Sequence, residues 1–147
     1  MTINPLVITV ASGLAHAVAS LATGLLNLVG VAAARDGCRI VYRGRCMVVA
    51  DECSGVRSLF AITGTTLLAG ILWRYGAGRT AMLVMAGALM AVACNVVRVA
   101  ACVLFPSIHD LAGYAAYGVA LVGTLLIDST MATLRRAAVN SPSQEGF

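Results

Sequence analysis

Apolar positions along this chain fall into four long blocks, at about 5–34, 56–73, 81–105 and 112–134, each interrupted by only a few polar residues. Blocks of that length approach or exceed the ~20 residues a helix needs to cross the hydrocarbon core of a bilayer. The pattern predicts an all-α membrane protein, a four-helix transmembrane bundle forming one domain over residues 1–136. Residues 35–52 behave differently. Arg39–Tyr42 favours a strand, Arg43-Gly44 a turn, and 47–49 is a second short apolar run, so a small β-like hairpin is expected between the first two helices. The links 73–79 and 105–113 read as turns, the second punctuated by Pro106 and Gly113. The polar stretch 137–147 reads as a disordered tail.

Composition sharpens this picture. A mean hydropathy of +0.91, with 60% hydrophobic and 11% charged residues, leaves no material for a soluble domain and no basic face for nucleic acid. No Lys or Arg precedes Arg35, and the first block is longer than the apolar core of a signal peptide. It is therefore expected to stay as an anchor, even though the alanines at 32–34 imitate a cleavage site. Four spans place both termini on one side with Arg74, Arg79, Arg135 and Arg136, against Arg35, Arg39, Arg43 and Arg45 on the other. Such a balance does not orient the bundle by charge.

Because charge is scarce, its concentration in DECSGVRS, residues 51–58, carries information. A structural cysteine in a membrane protein needs no such company, whereas a nucleophilic thiol needs nearby cations or donors and access to substrate. Cys53 is the candidate nucleophile. Asp51 and Glu52 also suit the N-terminus of a helix, and Ser54 and Gly55 allow a substrate backbone to approach closely. Arg57, one turn below Cys53, either supports the thiolate or pairs with Asp51 or Glu52. Arg98 lies within the third block, where an arginine costs about 2.5–3.5 kcal/mol on insertion and calls for a partner or a function. Asn95 precedes it by three positions and shares its side of the helix, either as interhelical glue or as part of the same site. His109 follows in the next link. Alternation of the spans brings Cys53, Arg98 and His109 to one membrane face.

Other features read as structural. His16 suits a packed, hydrogen-bonded position, Ala15, Ala19 and Thr23 form a small-residue stripe for close helix contact, and Cys94 and Cys102 look like packing residues. Tyr114 and Tyr117 fit an interfacial belt, and Asp128 is placed to pair with Arg74 or Arg79. Cys38, Cys46 and Cys53 lack the paired spacing of a zinc cluster, and no glycine-rich phosphate loop is present, so no metal and no cofactor is expected.

The ordered set D-x-C-S-G-V-R at 51–57, N-x-x-R at 95–98 and H-D-L-A-G at 109–113 resembles the exosortase and archaeosortase family of membrane transpeptidase-like enzymes. That family's usual E-A-C-S-G-hydrophobic-R is matched from Cys53 through Arg57, with Asp51 in place of Glu and Glu52 in place of Ala. The resemblance covers roughly residues 35–118. It implies Cys53 as nucleophile, His109 as proton carrier and Arg98 as stabiliser of negative charge. Asp51, Ser54, Gly55, Arg57 and Asn95 would support them. It further implies an active site on the extracytoplasmic face of the cell membrane with the termini inside, and a substrate bearing a C-terminal sorting signal made of a motif, a hydrophobic helix and a basic end. Longer members carry additional helices, so this chain is either a minimal member or one that works with a partner subunit or as an oligomer. Two alternatives are a four-helix thiol oxidoreductase using Cys38 and Cys46, and a non-catalytic membrane assembly subunit. The first is disfavoured by geometry, since a hairpin centred on Arg43-Gly44 sets Val41, not Cys38, opposite Cys46.

Overall fold

A computed structural model describes residues 5–49 and 55–140. The chain forms four helices, α1 (Pro5–Leu28), α2 (Val56–Leu72), α3 (Ala77–Leu104) and α4 (His109–Asn140), and a small sheet of β1 (Ala34–Asp36), β2 (Arg39–Tyr42) and β3 (Arg45–Val48). Among the described residues, three helices are long and apolar enough to cross a membrane: α1, α3 and α4. α2 has 17 residues, about 25 Å of helix, slightly less than the hydrocarbon thickness. Large apolar side chains such as Leu21, Phe60, Met85, Leu89 and Leu126 point outward. That arrangement suits lipid as the surrounding solvent, since lipid tails are as apolar as these side chains.

The first helix is shorter than the apolar block that encodes it. Instead of running to residue 34, α1 stops at Leu28. There Gly30 takes φ 81, its N–H bonds to the Asn27 carbonyl at 3.1 Å, and the Val31 N–H reaches the Leu26 carbonyl at 2.9 Å. These two bonds satisfy carbonyls that the helix end would leave open, and only glycine adopts that backbone without cost. Apolarity thus continued past a stop signal, and residues 31–33 beyond it lead irregularly into β1.

The expected hairpin is present and enlarged to a three-stranded antiparallel meander in the order β1-β2-β3. Arg43 (φ 49) and Gly44 (φ 74) make the tight turn whose twist suits a two-residue hairpin. Val41 stands opposite Cys46, and Cys38 is bonded through its carbonyl to the Val49 N–H at 2.8 Å. The meander packs back onto the bundle: Ile40 and Val49, fully or nearly buried, join Val18, Ala22 and Leu26 of α1 and Val99 and Val103 of α3 in one apolar cluster. At the β1–β2 turn the Cys38 thiol meets His16 of α1, with Sγ 3.1 Å from Nδ1, and His16 Nδ1 also lies 2.9 Å from the Ser12 carbonyl. His16 is hydrogen-bonded as expected but exposed rather than packed, and it ties the turn to α1.

α3 is the hub of the bundle. It packs along α1, α2 and α4, whereas α1 has no comparable contact with α2 or α4 among the described residues. The stripe of α1 that includes Ala15, Ala19 and Thr23 is buried, as its small side chains require for close approach. The link at 105–113 is more helical than its Pro and Gly suggest. A single 3-10 turn covers Pro106–Ile108, and α4 begins at His109, so Gly113 lies inside a helix rather than in a turn. At its other end α4 runs past the expected boundary to Asn140; residues 141–147 lie outside those described.

Candidate active site

The three helices α2, α3 and α4 enclose a cavity of ≈ 400 Å³. Arg57 and Ser58 reach it from the first turn of α2, Arg98 from the last two turns of α3, and His109, Asp110, Tyr114 and Tyr117 from the first turns of α4. The structure therefore gathers Arg57, Arg98 and His109 from three separate stretches of sequence. Cys53, Asp51, Glu52 and Ser54 lie outside the described residues, but Gly55, two positions after Cys53, is described and buried. The chain carrying the candidate nucleophile thus leads directly into the helix that walls this cavity.

Each site residue is held by local chemistry. Gly55 caps α2 at φ 84, a backbone that side-chain-bearing residues rarely adopt. A β-carbon placed there would fall 2.7 Å from Asn95 Nδ2. Asn95 is buried, at 2% exposure, so its amide is packed against the head of α2. It does not extend into the cavity alongside Arg98. The helical spacing that predicted a shared side is correct, but the two side chains serve different neighbours: Asn95 faces α2, and Arg98 faces α4.

Arg98 stands about 9 Å below the end of α3 at Leu104, at 1.5 Å per residue. Its guanidinium lies over Gly113 of α4, where an added β-carbon would be 3.0 Å from an Nη atom and 3.1 Å from Cζ. Its Nε is buried and has no hydrogen-bond partner among the described residues. The same side chain also borders a second space, an almost wholly apolar groove of ≈ 390 Å³ between α3 and α4 walled by Ala93, Val97, Ala101, Ala112 and Ala116. Among the described residues, Arg98 is thus the one charged residue common to a polar-lined chamber and an apolar groove.

His109 opens α4 and is half-buried, with Nδ1 3.2 Å from the Asp110 carboxylate. Asp110 in that first turn is favourably placed at the positive end of the helix dipole. Tyr117 is a correction to the sequence reading, because it packs beside Ile62, Ala91 and Ala120 and walls the cavity rather than sitting in a lipid belt. Tyr114 also walls the cavity and is largely exposed. Neither tyrosine could have been assigned there from sequence. Their spacing from His109 places them on the site-facing side only once α4 is known to start at His109. Chemically, two guanidinium groups, an imidazole and two phenols, against the single exposed carboxylate of Asp110, make a chamber suited to a group that gains negative charge. Among the described residues, no three His, Cys, Asp or Glu side chains gather as metal ligands would.

At the opposite end of the bundle, Asp128 of α4 meets Arg79 of α3, as one of the two expected pairings had it. Arg79 Nε donates to Asp128 Oδ1 at 2.9 Å, Tyr75 Oη donates to Asp128 Oδ2 at 2.7 Å, and the guanidinium stacks on the Tyr75 ring at 3.7 Å. The hydrogen bond to the Asp128 carboxylate holds the Tyr75 phenol above its ordinary pKa.

A protein-family model described as transmembrane exosortase (Exosortase_EpsH) matches residues 1–126. No curated protein and no solved structure matches the chain.

Proposed function

This chain belongs to the transmembrane exosortase family and is a multi-pass membrane protein, and from that premise we propose that it is a cysteine transpeptidase acting on C-terminal sorting signals of exported proteins. Family membership supports a membrane-embedded sorting role. The observation that carries the finer reading is the convergence of Arg98, His109 and Arg57 on one cavity at the head of α2, the helix that follows Cys53.

In this mechanism the Cys53 thiol gives its proton to His109 and its sulfur attacks the scissile carbonyl carbon. Arg98 faces the oxygen as it becomes negative, a fixed cation set where that charge develops. The tetrahedral adduct collapses to a thioester, the C–N bond breaks, and the imidazolium returns its proton to the leaving amine. Water or an acceptor amine then attacks the thioester and restores the thiol. Asn95 packs on Gly55, two positions after Cys53 in the sequence, and Asp51, Ser54 and Arg57, its neighbours along the chain, would support the thiol. The chamber faces the extracytoplasmic side, with both termini inside, and the substrate's apolar helix lies in the bilayer beside the bundle. A partner subunit or a second copy completes the surroundings that longer relatives build from additional helices.

The hairpin register weighs against a thiol oxidoreductase, because Cys46 is paired with Val41 and Cys38 points to His16. The deciding experiment complements cells lacking this chain with variants and reads the C-termini of membrane proteins by mass spectrometry. Cys53→Ala should leave precursors with their C-terminal apolar helices intact. Cys38→Ser, Cys46→Ser, Cys94→Ser and Cys102→Ser should restore cleavage. Equal failure of the Cys38 and Cys46 variants, with a disulfide joining those residues in the wild type, would establish the oxidoreductase instead.

A further inference from the structure

We infer that Gly113 is a positioning residue for Arg98: it is the seat in α4 over which the guanidinium lies, and it sets where that charge meets the cavity. The inference rests on the catalytic reading of Arg98 for its functional consequence, although the seat itself is a matter of geometry.

Three observations carry it. Gly113 sits inside α4, the fifth residue of a 32-residue helix, where glycine is a poor helix former and no positive φ requires it. Glycine leaves room there for another group to approach the helix closely. That group is visible, since all three atoms nearest to an added β-carbon belong to the Arg98 guanidinium, at 3.0, 3.1 and 3.4 Å. Finally, Arg98 reaches both the polar chamber and the apolar groove, and Gly113 lines the chamber. A side chain at 113 would fill the space the guanidinium occupies where it enters that chamber. Gly55 acts in parallel on Asn95, with a β-carbon 2.7 Å from the amide. Its φ of 84, however, makes any substitution there strained for a second reason. Gly113 is the position that isolates the effect.

The crowded atoms belong to the far end of a flexible side chain, so Gly113→Ala should leave the fold intact and move the guanidinium by a few tenths of an ångström. Gly118 supplies the control, being a second glycine of α4 with open space where its β-carbon would be. The full chain in detergent, labelled with ¹⁵N-arginine, should show the Arg98 Nε–Hε resonance, identified by its loss in Arg98→Ala. That resonance should shift in Gly113→Ala and stay in place in Gly118→Ala. In complemented cells Gly113→Ala should slow cleavage of C-terminal apolar helices by about three- to fivefold, scaled down from the 10² that a displacement of about 1 Å can cost. In the Arg98→Ala background it should cost nothing further. An unmoved resonance in Gly113→Ala overturns the seat, as does a loss of cleavage of the same size with or without Arg98. A shifted resonance in a protein whose Arg98→Ala variant cleaves normally supports the seat while removing the catalytic role of Arg98.

Discussion

Arg98 is the residue whose chemistry is least replaceable by its nearest relative. Lysine would preserve the charge but lose the planar fork, which both packs against Gly113 and offers several donors at fixed angles. Arg98→Lys is accordingly expected to cleave almost as poorly as Arg98→Ala, each down by about 10²–10³, the range for losing a group that stabilises an oxyanion. Quantifying folded protein beside the cleavage assay separates this from misfolding. Near wild-type cleavage by Arg98→Lys would reduce the role to bulk charge. The presence of an arginine within an apolar block was legible in the sequence, because its insertion cost singles it out. Its divergence from Asn95 was not, because three-residue spacing sets two side chains on one side of a helix without saying which neighbouring helix each will meet.

The helix ends record how individual elements begin and stop. α2 closes with the same pair of bonds as α1, the Arg74 N–H to the Ile71 carbonyl at 3.2 Å and the Tyr75 N–H to the Gly70 carbonyl at 2.9 Å. Here, however, the left-handed position is held by Arg74 at φ 51 rather than by glycine. A side chain in that conformation costs on the order of 1–2 kcal/mol. Arg74→Gly should therefore raise stability by about 1 kcal/mol, after allowance for glycine's greater freedom in the unfolded chain. Reversible unfolding of the detergent-solubilised protein measures it, and a destabilised variant would mean that the Arg74 side chain itself holds the turn. Turn residues at 43-44 were readable because the two-residue hairpin has a strong local signature. The end of α1 was harder to read, since apolar residues continue through 34 and hydropathy does not distinguish a helix from a strand packed on one.

At the scale of the molecule, the cluster of Tyr75, Arg79 and Asp128 joins the α2–α3 link and the start of α3 to the far half of α4, at the opposite end from the cavity lined by Arg98 and His109. Tyr75 donates a proton to a carboxylate and its folded pKa is raised. Its contribution is therefore fully present below the phenol's ordinary value of 10.0 and is lost as pH rises through the higher folded value. Thermal unfolding in detergent across about pH 8–11 should show wild type losing more stability at the alkaline end than Tyr75→Phe. Parallel curves would remove Tyr75 from the clamp. The pairing of Asp128 with a basic residue across two helices was anticipated because opposite charges near one end of a bundle find each other. The choice of Arg79 over Arg74, and the inclusion of Tyr75, followed from where α3 begins.

By itself the sequence determined the membrane class, the four helices, the hairpin turn and the identity of the chemically unusual residues, because each of these follows from local hydropathy, turn chemistry or the cost of charge in an apolar run. Tertiary structure alone decided that α3 is the hub, that Ile40 carries the sheet onto α1 and α3, that Tyr117 walls a cavity, and that Gly113 seats a guanidinium. Those outcomes depend on which faces of distant segments meet, and a one-dimensional pattern specifies that a face is apolar or small without specifying its partner.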